Sequence, residues 1–213
     1  FHSNIHRGVH TLATQATEAF EGARETIKGH FNAAENAEII FTAGATDGIN
    51  LVAGTWGRAN LTASSTVLMT RLEHHSNIVP WQILASEIGF KIEIIEIFPE
   101  GSIDLEDYNA KLALAPSLVC FSHVSNTLGT INDAKRLTSL AHDAGAIVMV
   151  DGAQAAPHMN VDLQDINCDF YVASGHKMYG PTGIGFLYGK RALLDAMPPW
   201  RGGGEMISSV SFD

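Results

Sequence analysis

One lysine in this chain stands where chemistry is more natural than solvation. It lies in Ser174-Gly175-His176-Lys177, inside the longer run Phe170-Tyr-Val-Ala-Ser-Gly-His-Lys-Met-Tyr-Gly-Pro-Thr-Gly-Ile-Gly185. Phe170 to Ala173 reads as a short buried strand, apolar and partly aromatic or β-branched. Ser174, Gly175 and His176 end that strand and deliver the amine, and the Gly-Pro and Gly-x-Gly that follow turn the chain sharply. A desolvated lysine of this kind can shed its proton and attack a carbonyl to form a Schiff base. The plain alternative is a surface lysine in a turn.

Asp151 narrows the chemistry. It follows Ala-Ile-Val-Met-Val, and a carboxylate closing so apolar a strand is costly unless a cation partners it. It serves as a helix N-cap, as a metal ligand, or as the partner of a protonated ring nitrogen. A Schiff-base lysine together with an aspartate for a pyridinium nitrogen is the pairing used with pyridoxal phosphate. That cofactor also needs a phosphate cradle. Gly44-Ala45-Thr46 precedes a helix, so backbone N–H groups and the Thr46 hydroxyl can meet a dianion there. A plain N-cap role for Thr46 is the alternative. Ser174 and His176 flank the lysine and can donate as well. Few fixed cations stand in this cradle, so a neighbouring subunit is expected to contribute to it.

The ten histidines raise the question of a metal. His74 and His75 are adjacent, and on a strand adjacent side chains face opposite ways, so they do not chelate together. No Cys-x-x-Cys completes a site, and no metal is expected. His74 better suits stacking on an aromatic cofactor and shuttling protons. Gln154 and Asn126 are neutral hydrogen-bonders suited to a phenolic oxygen, or simply to capping turns.

The elements that must position these groups alternate. Thr11 to His30 reads as an amphipathic helix, with apolar residues at spacings of three and four. Strands are then predicted over 38–42, 67–70, 91–97, 118–123, 146–150, 170–173 and 184–188. Helices are predicted over 46–56, 78–88, 105–114 and 134–144. This is an α/β pattern: a mostly parallel, mixed sheet with helices on both faces. The last strand follows its neighbour too closely for a helical crossover and is predicted antiparallel. In such sheets ligands sit beyond the carboxyl ends of the strands. The polar clusters Gly44-Ala-Thr46-Asp, Glu73-His-His-Ser-Asn77, His123-Val-Ser-Asn126, Asp151-Gly-Ala-Gln154 and Ser174-Gly-His-Lys177 all fall at that edge.

Composition bounds the rest. The chain has 213 residues, 46% of them hydrophobic, and a formal net charge of −10, which argues against nucleic-acid and anionic-membrane partners. No apolar run approaches the roughly 20 residues that span a bilayer, and no charged-then-apolar leader opens the sequence. Cys120 and Cys168 lie far apart, which suggests a reducing, cytoplasmic compartment. Both ends read as cut. The expected organisation is an N-terminal segment and helix over 1–30 and a cofactor-binding large domain over 31–213, with a C-terminal small domain outside this sequence.

At this point the residues resemble a family: the SUF-type (group II) cysteine desulfurases, which overlap with selenocysteine lyases among the class V aminotransferase-like enzymes. The stretches that carry the likeness are His6-Arg-Gly-Val-His10-Thr-Leu, Glu38-Ile-Ile-Phe, Glu73-His-His-Ser-Asn-Ile-Val-Pro-Trp-Gln82, His123-Val-Ser-Asn-Thr-Leu-Gly-Thr130, Val150-Asp-Gly-Ala-Gln-Ala155, Cys168-Asp-Phe-Tyr, the lysine run through Gly183 and Pro198-Pro-Trp-Arg-Gly-Gly-Gly-Glu-Met-Ile207. The resemblance implies a fold-type I, pyridoxal phosphate-dependent homodimer. It turns L-cysteine into L-alanine and passes sulfur as a persulfide to an acceptor protein for iron–sulfur cluster assembly. L-Selenocysteine is the alternative substrate, and a non-catalytic scaffold is the alternative outside enzymology.

By the same resemblance Lys177 holds the cofactor's carbonyl carbon, and Asp151 faces the pyridinium nitrogen. His74 stacks on the ring, Gln154 and Asn126 meet its phenolic oxygen, and Asn126 also lies near the substrate. Thr46, Ser174 and His176 hold the phosphate, while His6 and Arg7 line the partner subunit's substrate site. Ala43 and Ala45 stand where relatives often carry Arg and Thr. Cys120 and Cys168 do not match the persulfide-carrying cysteine, which the resemblance places beyond residue 213.

Overall fold

The computed structural model describes residues 3–6, 8–203 and 211. The first element is α1 (Thr11–His30), capped by His10, whose Nδ1 accepts the Ala13 N–H, and closed by Lys28 and His30 in its last turn. A short 3₁₀ turn leads into β1 (Ile39–Thr42), and Gly44 caps α2 (Ala45–Val52). The predicted helix of 46–56 does not end there. It passes through a π turn, Ala53–Gly57, into α3 (Arg58–Asn60). The chain continues through β2 (Thr66–Thr70), α4 (Val79–Ile88), β3 (Lys91–Ile95), α5 (Leu105–Leu112), β4 (Leu118–Ser122), α6 (Ala134–Asp143), β5 (Ile147–Asp151), α7 (Leu163–Ile166), β6 (Phe170–Ser174), β7 (Gly185–Gly189) and α8 (Arg191–Ala196). Sequence periodicity missed α7 and α8, because helices of one to two turns are too short to display it.

The strands form one seven-stranded sheet in the order β1-β7-β6-β5-β4-β2-β3. All run parallel except β7, which is antiparallel to both β1 and β6, as the short link from β6 requires. Helices cover both faces. On β6, Tyr171 and Ala173 face a core with Phe31, Tyr108, Phe121 and Phe186, whereas Phe170 and Val172 face one with Ile49, Trp56, Trp81 and Met149. Burial on both sides explains why the central strands read as continuous apolar runs. Among the described residues, no helix is long and apolar enough to cross a membrane.

A polar residue ends most of these apolar strands. Thr42, Thr70, Ser122, Asp151 and Ser174 are the last residues of β1, β2, β4, β5 and β6, and all five are buried. Just beyond β2, Glu73 ties this edge together. Its carboxylate accepts the Thr70 hydroxyl, the Ser122 N–H at 2.9 Å and the Asn77 Nδ2–H at 2.7 Å. Burial pushes this carboxyl up from 4.5 to about 7, and the charge of Asp151 acts in the same direction. A carboxyl harder to ionise in the folded than in the unfolded chain stabilises most while protonated. That contribution is full below pH 4.5 and is lost as pH rises through about 7. Glu73→Gln should flatten this decline in urea midpoints measured between about pH 5 and about pH 8. A variant with the wild-type slope would place the titration elsewhere.

Beneath β5 the backbone is pinned sterically. The Tyr171 ring lies against Gly152, so closely that a Cβ there would stand 2.0 Å from Tyr171 Cε1. The phenol oxygen is 3.1 Å from His123 Nδ1. Gly152→Ala should therefore destabilise the protein by about 1–3 kcal/mol, the range for overpacking a core. Denaturant unfolding measures this, and an unchanged midpoint would mean the ring yields freely.

Candidate active site

Thr46, His74, Asn126, Asp151, Gln154, Ser174, His176 and Lys177, all singled out in the sequence, line one cavity of about 280 Å³ at the carboxyl edge of the sheet. A larger groove of about 650 Å³ lies between α1 and the loop at 156–160, walled mainly by apolar residues such as Ile27, Phe31, Pro157 and Met159. The smaller cavity is the one into which charged, amide and hydroxyl groups converge from the ends of several strands.

Its floor is built by close backbone approach. Gly44 has φ of +148°, which favours glycine, and a Cβ on it would meet Ser174 Oγ at 3.3 Å. A Cβ on Gly185 would meet Ala173 O at 2.4 Å and Gly44 Cα at 2.7 Å, so β6, β7 and the turn that opens α2 touch here through backbone alone. Ala45 N–H, the first of α2, donates to Ser174 Oγ at 2.9 Å. Gly44 is the N-cap, and Thr46 lies inside the first turn. The N-cap alternative for Thr46 is thus not realised, and its exposed side chain lines the cavity. The helix dipole and first-turn N–H groups make this corner favourable for an anion.

Asp151 forms the opposite wall. Its Oδ1 accepts the Ala153 N–H at 2.9 Å, which caps the turn after β5 rather than a helix. Burial pushes this carboxyl up, opposed by that hydrogen bond and by the charges of Lys177 and His74. A carboxylate in this position calls for a cationic partner from the cavity side. His74 is half-buried, and its Nδ1 accepts the Ser76 N–H at 3.2 Å, which leaves the neutral ring's proton on Nε2. Burial lowers its pKa and the neighbouring His75 adds to the shift, so the ring is neutral at neutral pH.

His74 and His75 are not on a strand, so the alternation argument does not hold for them. They lead into a 3₁₀ turn (His75–Asn77), and their rings pack together with centroids 3.9 Å apart. Lys177 lies on a 3₁₀ turn (Gly175–Met178), half-buried, with His176 exposed beside it. Among the described residues no group of three or more His, Cys, Asp or Glu is arranged to hold a metal.

His6, expected at the partner subunit's site, does not line this cavity. His6 bonds Glu21 Oε1 through Nε2 at 2.8 Å, on α1. Arg7 lies outside the described residues. His123, one of the polar edge residues, turns to the other face against Tyr171, and burial drives its imidazole down to about 4. Ala45, Ser76 and Ala153, members of the polar clusters placed at this edge, line the cavity as well, and so does Ser122, which sequence reasoning missed. For Ser122 a signal was present: a hydroxyl closing an apolar strand beside the one that Asp151 closes.

The chain matches the family described as aminotransferase class-V over residues 1–213. It is 51% identical over 210 residues to a probable cysteine desulfurase of Halalkalibacterium halodurans, covering 99% of this chain and 52% of that protein. It is 49% identical over 207 residues to a cysteine desulfurase of Escherichia coli, covering 97% of this chain and 51% of that one. The apo structure of a cysteine desulfurase from Thermococcus onnurineus superposes with a TM-score of 0.93 at 41% identity, over 99% of this chain and 52% of that one. The chain thus spans about half the length of the relatives it matches. Its sequence and its fold agree: the chain belongs to the aminotransferase class-V family.

Proposed function

We propose that this chain is the cofactor-binding part of a pyridoxal phosphate-dependent cysteine desulfurase of the SUF-type group. The full protein acts as a homodimer in the cytoplasm, and residues 31–213 form its large domain. It converts L-cysteine to L-alanine while an enzyme thiol becomes a persulfide, whose sulfur passes to an acceptor protein for iron–sulfur cluster assembly. One observation carries this function: Lys177 and Asp151 line the same narrow cavity, with an anion-favouring helix start at its edge. The relatives' names point the same way.

Pyridoxal phosphate fits the residues present, because the buried Asp151 forms no salt bridge among the described residues and the glycine-floored corner at Gly44 is favourable for a phosphate. When bound, it supplies an electrophilic carbonyl and a ring that accepts electrons. Lys177 Nζ would hold the carbonyl carbon until the substrate's amino group displaced it, and the freed amine could then move the proton at the substrate Cα. Asp151 keeps the ring nitrogen protonated by a charge-assisted contact. His74 would face the ring and offer its Nε2 proton, while Gln154 and Asn126 would bind the phenolic oxygen. Thr46, Ser174 and His176 hold the phosphate. His6 and Arg7 reach the partner subunit's substrate.

Neither cysteine of this chain carries the sulfur. Cys120 and Cys168 are fully buried, and burial pushes both thiols up, aided by the nearby carboxylates of Glu73 and Asp169 respectively. Sulfur transfer needs an accessible thiolate, so the acceptor thiol is supplied from elsewhere in the full-length protein.

The full-length protein should be yellow, bleach with borohydride and release alanine with sulfur from L-cysteine. Release from L-selenocysteine alone would make it a selenocysteine lyase, and a colourless protein would make it a scaffold. Lys177→Ala should abolish covalent attachment of the cofactor, which mass spectrometry after borohydride treatment detects; turnover near the wild-type rate would sink the assignment. Asp151→Asn should weaken cofactor binding by about 1.5–3 kcal/mol, roughly 10- to 150-fold in Kd by absorbance titration. An unchanged Kd would dissolve the pairing.

A further inference from the structure

Ser122 closes β4 and pairs in register with Asp151, the last residue of β5. Its backbone is fully engaged: the N–H donates to Glu73 Oε1 at 2.9 Å, and the carbonyl accepts Asn132 Nδ2–H at 2.7 Å. Its side chain is not. The residue is 4% exposed and lines the cavity, and among the described residues its hydroxyl has no hydrogen-bond partner. Buried hydroxyls left unpaired are costly and rare. Asn36 Oδ1 and Thr138 Oγ1 share this condition, but neither residue lines the cavity.

Strand register sets that hydroxyl beside Asp151. Residues paired on adjacent parallel strands project on the same face, with strands about 4.8 Å apart, so Ser122 and Asp151 stand side by side on the cavity edge. The other groups acting on Asp151 have other tasks. Glu73 is a second carboxyl, already committed to three donors. Lys177 and His74 face the cavity contents. Asp151 Oδ1 already takes the Ala153 N–H.

Resting on the function above, we propose that Ser122 is the positioning residue for Asp151. As a cationic ring nitrogen settles against the carboxylate, the Ser122 hydroxyl donates to it from the β4 side and fixes its plane toward the ring.

This predicts opposite signs for stability and binding. In the full-length protein stripped of pyridoxal phosphate, Ser122→Ala removes an unpaired hydroxyl, so its thermal midpoint should equal or exceed that of wild type. The same variant should raise the pyridoxal phosphate Kd by roughly 10- to 150-fold in absorbance titration, as loss of one hydrogen bond to a charged group does. Ser122→Thr, which keeps the hydroxyl, should bind within about twofold of wild type. The proposal is overturned by equal Kd values for Ser122→Ala and wild type. It is overturned equally by a Ser122→Thr as weak as Ser122→Ala, or by lost binding that tracks a lowered midpoint. A wild-type protein that binds no pyridoxal phosphate would instead bring down the functional reading, and this inference with it.

Discussion

An ionised carboxylate shut into a protein interior must find a positive partner or give up its charge, and Asp151 places that demand at the centre of the sheet. β5 has β4 on one side and β6 on the other, so its last residue is covered laterally by both neighbours. Gly152 follows at once and is pressed from below by the Tyr171 ring, which keeps the chain from sinking. The Ala153 N–H then steadies one carboxylate oxygen. Each device holds the carboxylate in place without neutralising it. The surrounding fold keeps a local electrostatic debt directed at one open volume.

The same edge shows how a sheet can be apolar along its length and polar at its tip. Thr42 Oγ1–H bonds the carbonyl of Gly44, Thr70 bonds Glu73, and Ser174 receives the amide that opens α2. These short side chains terminate strands by giving the backbone somewhere else to bond, and they also furnish the walls beyond the strands. Structural termination and site construction are carried out by the same atoms.

This dual use explains what was legible in the sequence. Strand and helix order was plain, because two-sided burial writes long apolar runs and α1 shows its periodicity over 20 residues. The charged and amide groups of the cavity were legible because each breaks an apolar run conspicuously. Ser122 was overlooked, and Glu73 was placed at the edge without a role, because their importance lies in how strands adjoin: a serine ending one strand gains meaning only when Asp151 is known to end the next. His123 was grouped with the edge residues although a one-residue step past Ser122 turns it to the opposite face. The relation of His74 to His75 depended on a 3₁₀ turn that a three-residue stretch does not announce.

The reversed strand β7 carries a last consequence. Gly175 N–H bonds Ile184 O at 2.8 Å, Gly180 N–H bonds Gly175 O at 2.9 Å, and Gly185 rests on Gly44. The loop bearing Lys177 is therefore a closed hairpin anchored at both feet. Its ammonium travels only by swivelling about its own side-chain bonds, along an arc on one side of the cavity. A side chain so leashed meets a planar guest from a single flank, so any proton it moved under the proposed function would go to one face of that guest.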